Sequence, residues 1–251
     1  MSAMHRLGQR FNNWRYRSAT EDAERVLFTA DELVGGDYQS QCGQDKWLVE
    51  RGFPGLKDGF FVDIGAHDGI TFSNTYFLES RMGWSGIAIE PMPEVYERLR
   101  KNRRCTTVNA CVSATAGHLR FRQISGYSEM LSGLVDQYDA RHLDRIEREV
   151  LAHGGSWADI DVVSVKLTDL LRENEVETVH YLNIDVEGAE LDILRSIDFS
   201  VTNILICGIE NNYSDYRIPA YMKSVGYKLI AVVGDEMYVR ADVSLSPVIA
   251  R

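Results

Sequence analysis

A glycine-containing turn flanked by acidic residues is the first feature of the sequence that could do chemistry. The run Asp63-Ile64-Gly65-Ala66-His67-Asp68-Gly69 follows an apolar segment and precedes a segment with helical spacing. Gly65 and Gly69 can adopt backbone angles that other residues avoid, so a ligand can approach the main chain there. Asp63 falls at the carboxyl end of the predicted strand, where open α/β sheets bind ligands. A carboxylate at that place suits an ammonium group better than a pyrophosphate.

A second acidic residue, Glu90, ends the next apolar segment and is followed by Pro91. It comes about 20 residues after the turn, which is the usual distance for an acid that accepts hydrogen bonds from ribose hydroxyls. A dinucleotide site uses G-x-G-x-x-G, whereas this turn reads D-x-G-x-x-x-G. Each feature alone also fits a helix cap or a solvated charge. Together they favour an aminoacyl nucleoside as the ligand.

Short apolar runs that alternate with amphipathic segments must position these residues. This alternation predicts an α/β fold with a mostly parallel sheet, covered by helices on both faces. A Gly-Asp turn before Asp235–Arg240 predicts a terminal hairpin and one antiparallel strand. The predicted strands are Phe60–Ile64, Gly86–Ile89, Thr106–Ala110, His180–Ile184, Ile204–Ile209 and Lys228–Val233, and the predicted helices are Phe72–Arg81, Glu94–Asn102, Leu167–Asn174, Ala189–Ile197 and Ser214–Val225.

Two segments depart from this alternation. Residues 1–38 are polar, with a weak helical pattern around Glu21–Leu33, and we interpret them as an N-terminal helical arm on a main domain of residues 39–251. Residues 126–161 contain no sheet-like run, but apolar residues recur there at helical spacing. This pattern predicts a helical insertion, and a lid, a dimer contact and plain core packing all fit it.

Composition narrows the class of protein further. A chain of 251 residues can build one α/β domain, and 27 basic against 37 acidic residues give a formal charge of −10, which argues against a nucleic-acid partner. The basic stretch Arg98–Arg104 is interpreted as the solvated end of a helix. No apolar run is long enough for a membrane span, the polar start lacks a signal peptide, and four scattered cysteines form no CxxC pair. We therefore expect a cytoplasmic protein.

The combined motifs resemble the FkbM family of methyltransferases over about residues 39–240. The motifs are Ser40-Gln41-Cys42-Gly43-Gln44-Asp45, Phe61-Val62-Asp63-Ile64-Gly65-Ala66, Ser73-Asn74-Thr75, Gly83-Trp84-Ser85-Gly86, Ile89-Glu90-Pro91 and Asn183-Ile184-Asp185-Val186-Glu187-Gly188-Ala189-Glu190. The resemblance implies a Rossmann-like class I methyltransferase fold with a seven-stranded sheet. It also implies S-adenosyl-L-methionine as cofactor and a hydroxyl of a sugar, glycolipid or natural product as methyl acceptor.

The resemblance assigns cofactor contacts to four groups of residues. The methionine part is surrounded by Asp63, Gly65, Ala66, His67 and Gly69, the ribose by Glu90 and Pro91, and the adenine by Asn109, Ala110 and Cys111. Three more polar residues would reach the methionine carboxylate, namely Gln44, Ser73 and Asn74. For these three, helix capping and loop hydrogen bonding are equally good interpretations.

Acidic residues after the later strands are the candidate catalytic groups. A hydroxyl that attacks a sulfonium methyl must be aligned and must lose its proton. A carboxylate accepts that proton when its pKa is raised or when a metal acidifies the alcohol. We predict Asp185 and Glu187 as catalytic residues, and Asp185 with Glu210 as ligands of a divalent metal such as magnesium, although Asn211 replaces a second acid there.

Other classes of function remain open at this point. A nicotinamide-dependent oxidoreductase and a non-catalytic Rossmann-like binding protein share the expected fold, and a methyltransferase acting on nucleic acid or protein shares the reaction. The missing G-x-G-x-x-G argues against the first class, and the net charge and the missing N/D-P-P-Y/F motif argue against the last. The expected partners are a small-molecule acceptor and a second copy of the chain. If the insertion is a lid, His142 or His153 could approach the substrate.

Overall fold

The computed structural model of the protein describes residues 3–138 and 140–245. Its helices are α1 (Ala3–Thr20), α2 (Ala30–Val34), α3 (Gln44–Trp47), α4 (Tyr76–Met82), α5 (Pro93–Asn102), α6 (Ala140–His153), α7 (Leu167–Glu173), α8 (Glu190–Ser196) and α9 (Arg217–Ser224). Its strands are β1 (Glu24–Arg25), β2 (Phe60–Ile64), β3 (Ser85–Ile89), β4 (Thr106–Val108), β5 (Cys111–Val112), β6 (Gly117–Ser125), β7 (Gly133–Leu134), β8 (Ser156–Val165), β9 (Val179–Ile184), β10 (Ile204–Ile209), β11 (Tyr227–Val233) and β12 (Asp235–Arg240).

The main sheet has the strand order β1-β11-β12-β10-β9-β2-β3-β4. Its pairings are parallel except those of β12, which runs antiparallel to β10 and β11 as the terminal hairpin predicts. The α/β class with a mixed sheet is therefore as expected. The described sheet has eight strands rather than seven, because the two-residue strand β1 of the N-terminal region pairs with β11 at the edge.

The path of the chain through the sheet reverses between β2 and β9. From β2 the chain moves outward through β3 to β4, and it later returns on the other side of β2 with β9 and then β10. The two chain directions leave a crevice at the carboxyl ends of β2 and β9, which is where open α/β sheets bind ligands. Gly65 and Asp185 follow these two strands.

Both faces of the central strands are buried, which explains their near-continuous apolar sequence. Phe61 packs with Leu78 and Trp84 in one cluster, whereas its neighbour Val62 packs with Leu182 in another. Adjacent residues of a strand point to opposite faces, so the two clusters are the two layers between sheet and helices. Full burial of each such side chain stabilises the fold by about 1.5–3 kcal/mol.

A second, smaller sheet with the order β5-β8-β6-β7 corrects the interpretation of residues 126–161. The end of that segment forms β8, which pairs antiparallel with β6 along the whole of β6, and α6 occupies its middle. Most residues of β8 before Val162 are exposed. Because one face of this strand meets solvent, its sequence lacks the continuous apolar run that predicts the central strands of the main sheet, and β6 beside it is likewise not among the predicted strands.

Several boundaries also differ from the expectation, among them the start of the predicted helix Ser214–Val225, which lies at Arg217. In the N-terminal region the long helix is α1, which precedes the pattern at Glu21–Leu33. The guanidinium of its Arg15 lies 5.0 Å from the ring centre of Tyr216, the residue before α9. The predicted helix Phe72–Arg81 begins only at Tyr76, because Phe72 has a φ of +57°. The third strand ends at Val108. No helix among the described residues is long and apolar enough to cross a membrane.

We expect Gly65→Ala to be strongly destabilising, because two constraints act on this glycine. Its φ is +89°, and an added Cβ would lie 1.7 Å from the carbonyl oxygen of Asp185. Gly226 is a matched control, with a φ of +90° and open space around the added carbon. Backbone strain alone costs about 1–2 kcal/mol, and overpacking adds about 1–3 kcal/mol. Urea denaturation should show a clearly larger loss for Gly65→Ala than for Gly226→Ala, and equal losses would contradict the close approach.

Candidate functional site

A cavity of about 880 Å³ opens at the crevice between β2 and β9. Most residues that the sequence assigns to the site line this one cavity. They are Gln44, Asp63, Gly65, Ala66, His67, Ser73, Asn74, Glu90, Pro91, Ala110, Cys111, Asp185, Glu187 and Glu210. Residues 126–132 and helix α6 contribute the opposite wall. The volume is within the range of small-molecule sites.

Two of the assigned residues, Gly69 and Asn109, are not among those that line the cavity. The side-chain amide of Asn109 donates to the backbone carbonyls of Glu90 (2.9 Å) and Pro91 (3.1 Å). The carbonyl of Gly69 accepts a hydrogen bond from Arg103 at 3.2 Å. Both residues therefore hold the backbone that surrounds the cavity.

Asp63 is buried and its carboxylate is already occupied by protein groups. Asn183 donates to Oδ1 at 2.9 Å and the hydroxyl of Thr75 donates to Oδ2 at 2.6 Å. The guanidinium of Arg103 lies 4.0 Å from Oδ2. Asp63 therefore fixes Asn183 and the loop before α4, although its carboxylate is also part of the cavity wall.

Arg103 is a buried residue that the sequence interpretation assigned to a solvated helix end. Its side chain is fully buried, forms an ion pair with Glu79, and donates to the hydroxyl of Thr75 at 3.0 Å. The reason is its position directly after α5, because Val95, Leu99 and Arg103 recur every four residues and all three are buried. That spacing is the signal that could have identified it.

Glu90 combines burial with hydrogen bonds to the backbone. Its two carboxylate oxygens accept from the N–H of His67 at 3.1 Å and from the N–H of Met92 at 2.8 Å. Burial raises the pKa of Glu90 to about 7, although the hydrogen bonds and His67 oppose the shift. Because the side chain also lines the cavity, its remaining lone pairs are available to a ligand hydroxyl.

His67 connects the cofactor turn to the opposite wall. Its Nε2 lies 2.9 Å from a carboxylate oxygen of Glu129, and the same oxygen pairs with Arg98. Burial lowers the pKa of His67, but the carboxylates of Asp68 and Glu129 outweigh it and raise the pKa above its usual value. The short helical turn Glu129–Leu131 is thereby attached to the turn after β2.

The acids after β9 and β10 lie together, as the sequence predicts for adjacent strand ends. Burial, followed by repulsion from neighbouring carboxylates, raises the pKa of Asp185 and of Glu210 well above the usual range. Burial raises the pKa of Glu187 to about 7. The amide of Asn212 donates to Glu210 at 2.6 Å and to Glu187 at 3.4 Å, so it links the two acids.

The two histidines of the segment 126–161 occupy different environments. His142 is buried, with Nε2 at 3.0 Å from the carbonyl of Leu131 and Nδ1 at 3.4 Å from Glu187. His153 lines the cavity and its ring stacks on that of Tyr127, with ring centres 4.3 Å apart. Of the two, only His153 faces the cavity directly.

Asp235 is a cavity residue that the sequence interpretation did not assign. It is the first residue of β12 and is 7% exposed. Its Oδ2 accepts hydrogen bonds from the amides of Gln44 at 2.9 Å and Asn74 at 3.1 Å. Because β12 runs antiparallel to its neighbours, its first residue lies at the same edge as the last residues of the parallel strands. The Gly-Asp turn before β12 was the available signal.

Among the described residues, no group of three or more His, Cys, Asp and Glu side chains is arranged to hold a metal ion. The hypothesis of magnesium on Asp185 and Glu210 therefore has no support from the geometry. The same two side chains remain candidates for proton transfer.

The sheet and its cavity define an α/β protein with a ligand site at the point where the chain direction reverses. The sequence profile of the Methyltransferase FkbM domain matches residues 63–229. The chain belongs to the FkbM methyltransferase family, and the resemblance seen in its motifs is confirmed. It is therefore a methyltransferase, and membership of the family implies S-adenosylmethionine as methyl donor.

Curated relatives agree with this assignment at low identity. The chain is 26% identical over 193 residues to methyltransferase sdnD of Sordaria araneosa, covering 68% of this chain and 74% of that protein. It is 26% identical over 170 residues to methyltransferase 1 of Beauveria bassiana, covering 61% of this chain and 64% of that protein. The chain thus spans less than two thirds of the second relative.

Two solved structures are similar over most of the chain. The FkbM methyltransferase of Methylobacillus flagellatus has a TM-score of 0.46 at 10% identity, covering 91% of this chain and 58% of that one. The methyltransferase domain of METTL16 has a TM-score of 0.37 at 12% identity, covering 90% and 92%.

We expect Arg103→Met to reduce the free energy of unfolding by about 3–5 kcal/mol, because it leaves the buried carboxylate of Glu79 without its ion pair. Arg100 is the control, since it lies three residues earlier, in the last turn of α5, but is exposed and pairs with the exposed Glu97. Arg100→Met should leave stability almost unchanged. Urea denaturation measures both variants, and equal losses would contradict a stabilising role of the buried guanidinium.

Proposed function

We propose that the protein is an S-adenosylmethionine-dependent O-methyltransferase that acts on a hydroxyl of a sugar, glycolipid or natural product. One observation carries the proposal: the turn after β2, the buried Glu90 after β3 and the acids after β9 and β10 all line a single cavity. The first two suit the cofactor and the last suit proton removal from an acceptor. The strand order, with its reversal between β2 and β9, supports a Rossmann-like class I arrangement.

The residues present fit the cofactor. Glu90 lies at the strand end where an acid that binds the ribose hydroxyls is expected, and its carboxylate can still accept hydrogen bonds. Ala110 and Cys111 provide an apolar wall beside it. The carboxylates of this cavity suit a ligand that carries a sulfonium and an ammonium group. When bound, S-adenosylmethionine supplies a methyl group on positively charged sulfur that an acceptor oxygen can attack in line.

The acids after β9 and β10 are the groups that can bind the methyl acceptor and remove its proton. In our proposal Asp185 and Glu187 bind the acceptor hydroxyl, and one of them takes its proton. A carboxylate whose pKa is raised to about 7, as for Glu187, is a much better base at neutral pH than an ordinary one. After burial, repulsion from Asp235 and Glu187 keeps the pKa of Asp185 raised, whereas its hydrogen bond with Glu210 opposes that shift. No step of this mechanism passes through a metal.

We expect the protein to bind S-adenosylmethionine and its demethylated product, and Glu90→Ala to weaken both at least ~10-fold, because the ribose hydroxyls lose a charged acceptor. Glu94→Ala, an exposed acid at the start of α5, should leave binding unchanged. Calorimetry measures the affinities. Full affinity in Glu90→Ala would contradict the ribose site, and binding of NAD in place of S-adenosylmethionine would favour an oxidoreductase.

We expect methyl transfer to fall about tenfold per unit as the pH drops below about 7, because the base must be deprotonated to accept the hydroxyl proton. Glu187→Gln should lower kcat by about 10²–10⁴-fold and remove this limb of the profile. Glu147→Gln, an exposed acid of α6, should change neither. The assay uses labelled S-adenosylmethionine with acceptors from a screen of sugars and natural products. An unchanged profile in Glu187→Gln would rule out its role as base.

A further inference from the structure

One end of the cavity is a polar recess formed by residues from four separate elements. Gln44 begins α3, Asn74 precedes α4, Asn183 lies in β9 and Asp235 begins β12. All four line the cavity, and each is no more than 7% exposed. Polar side chains buried this deeply are normally satisfied by hydrogen bonds, so their bonding pattern is informative.

Most of the amide donors of the recess are already used within the protein. The NH₂ group of Asn74 donates to Oδ1 of Asn183 at 2.9 Å and to Oδ2 of Asp235 at 3.1 Å. The NH₂ group of Gln44 donates to the same oxygen of Asp235 at 2.9 Å. Asn74 therefore has no amide donor to spare for the methionine carboxylate, which the sequence interpretation assigned to it, whereas Gln44 keeps one N–H.

The acceptors of the recess are not used up. The carbonyl oxygen of Asn74 is buried and has no hydrogen-bond partner in the described part of the chain. The orientation of this amide is well defined, because its other end faces two acceptors and must be the NH₂ group. Within residues 3–138 and 140–245, the Oδ1 atom of Asp235 likewise receives no hydrogen bond, since both amides donate to Oδ2.

A recess with a carboxylate and an unsatisfied carbonyl oxygen calls for a ligand group that donates several hydrogen bonds and carries positive charge. A primary ammonium has three N–H donors and meets both requirements. Asp63 is less suitable, because Asn183 and Thr75 occupy its two oxygens and Arg103 already offsets its charge.

We propose that Asp235 and Asn74 form the subsite for the ammonium group of the amino-acid end of the cofactor. This inference rests on the proposed function. It moves the ammonium contact from Asp63 in β2 to Asp235 in β12, which lies beyond β9 and β10 in the strand order. Gln44 and Asn183 then act as positioning residues that hold the two acceptors in place.

The test compares ligands with and without the amino group on the full chain. Calorimetry with the wild type uses S-adenosylhomocysteine, its desamino analogue and 5′-methylthioadenosine, which lacks the whole amino-acid end. Removal of the amino group should weaken binding by about 10-fold to 100-fold. In Asp235→Asn this difference between the two homocysteine ligands should nearly disappear, while the affinity for 5′-methylthioadenosine stays at the wild-type value.

Glu236→Gln is the matched control for this experiment. Glu236 is the next residue of the same strand and is equally buried, but it bonds to Tyr238 and to Asn211 (2.9 Å) rather than facing the cavity. The variant should bind all three ligands as the wild type does.

Each other result has a distinct meaning. An equal loss for all three ligands in Asp235→Asn, or no loss for any, would overturn the ammonium subsite. If the wild type itself is insensitive to the amino group, the subsite is overturned without reference to any variant. If the wild type binds neither S-adenosylhomocysteine nor 5′-methylthioadenosine, the proposed function fails first, and with it the subsite.

Discussion

The pairing of β2 with β9 is the constraint on which the cavity depends. In this register Asp63 lies opposite Asn183, and the backbone N–H of Asp185 donates to the carbonyl of Ile64 at 3.0 Å. The backbone segments that follow these two strands then approach so closely that only glycine fits at position 65. A shift of one residue would turn every side chain of β9 to the other face and separate the two halves of the site.

Charge is distributed unevenly along the cavity. Near the turn after β2, the buried Arg103 offsets the carboxylates of Asp63 and Glu79. Around Asp185 and Glu210, acids crowd together without a comparable buried cation among the described residues, and their pKa values are raised in consequence. A cationic ligand in this cavity favours the ionised forms of these acids. The electrostatics thus suit a methyl donor whose sulfur is positive before the reaction and neutral after it.

The sequence predicts those parts of the molecule that depend on local pattern. The central strands are recognisable because both faces are buried, and Asp63, Glu90 and Asp185 are recognisable because each ends such a strand. The strand β8 escapes prediction because it is largely exposed and polar residues interrupt its apolar ones. The composition of the basic cluster around Arg103 suggests a solvated helix end, and the only sequence signal of the buried arginine is its four-residue spacing from Leu99 and Val95.

Asp235 shows a second limit of local pattern. It is an unremarkable hairpin residue in the sequence, and its partners Asn74 and Gln44 lie 161 and 191 positions away along the chain. No spacing rule connects residues from four elements that meet only when the sheet closes around β9. What local pattern does reveal is the turn that brings Asp235 to the carboxyl edge.

The two walls of the cavity differ in how readily they can change. The wall to which we assign the cofactor is built from buried hydrogen bonds to backbone and amide groups, such as those of Glu90 and Asp63, and breaking one of them costs about 1–3 kcal/mol. The opposite wall contains partly exposed ion pairs, including Arg145 with Glu149 at 3.0 Å and with Glu187 at 3.8 Å. Such pairs contribute only about 0–1 kcal/mol, so an acceptor can displace them at little cost. Under the proposed function, the ion pairs of α6 are therefore the part of the cavity that an acceptor can rearrange most easily.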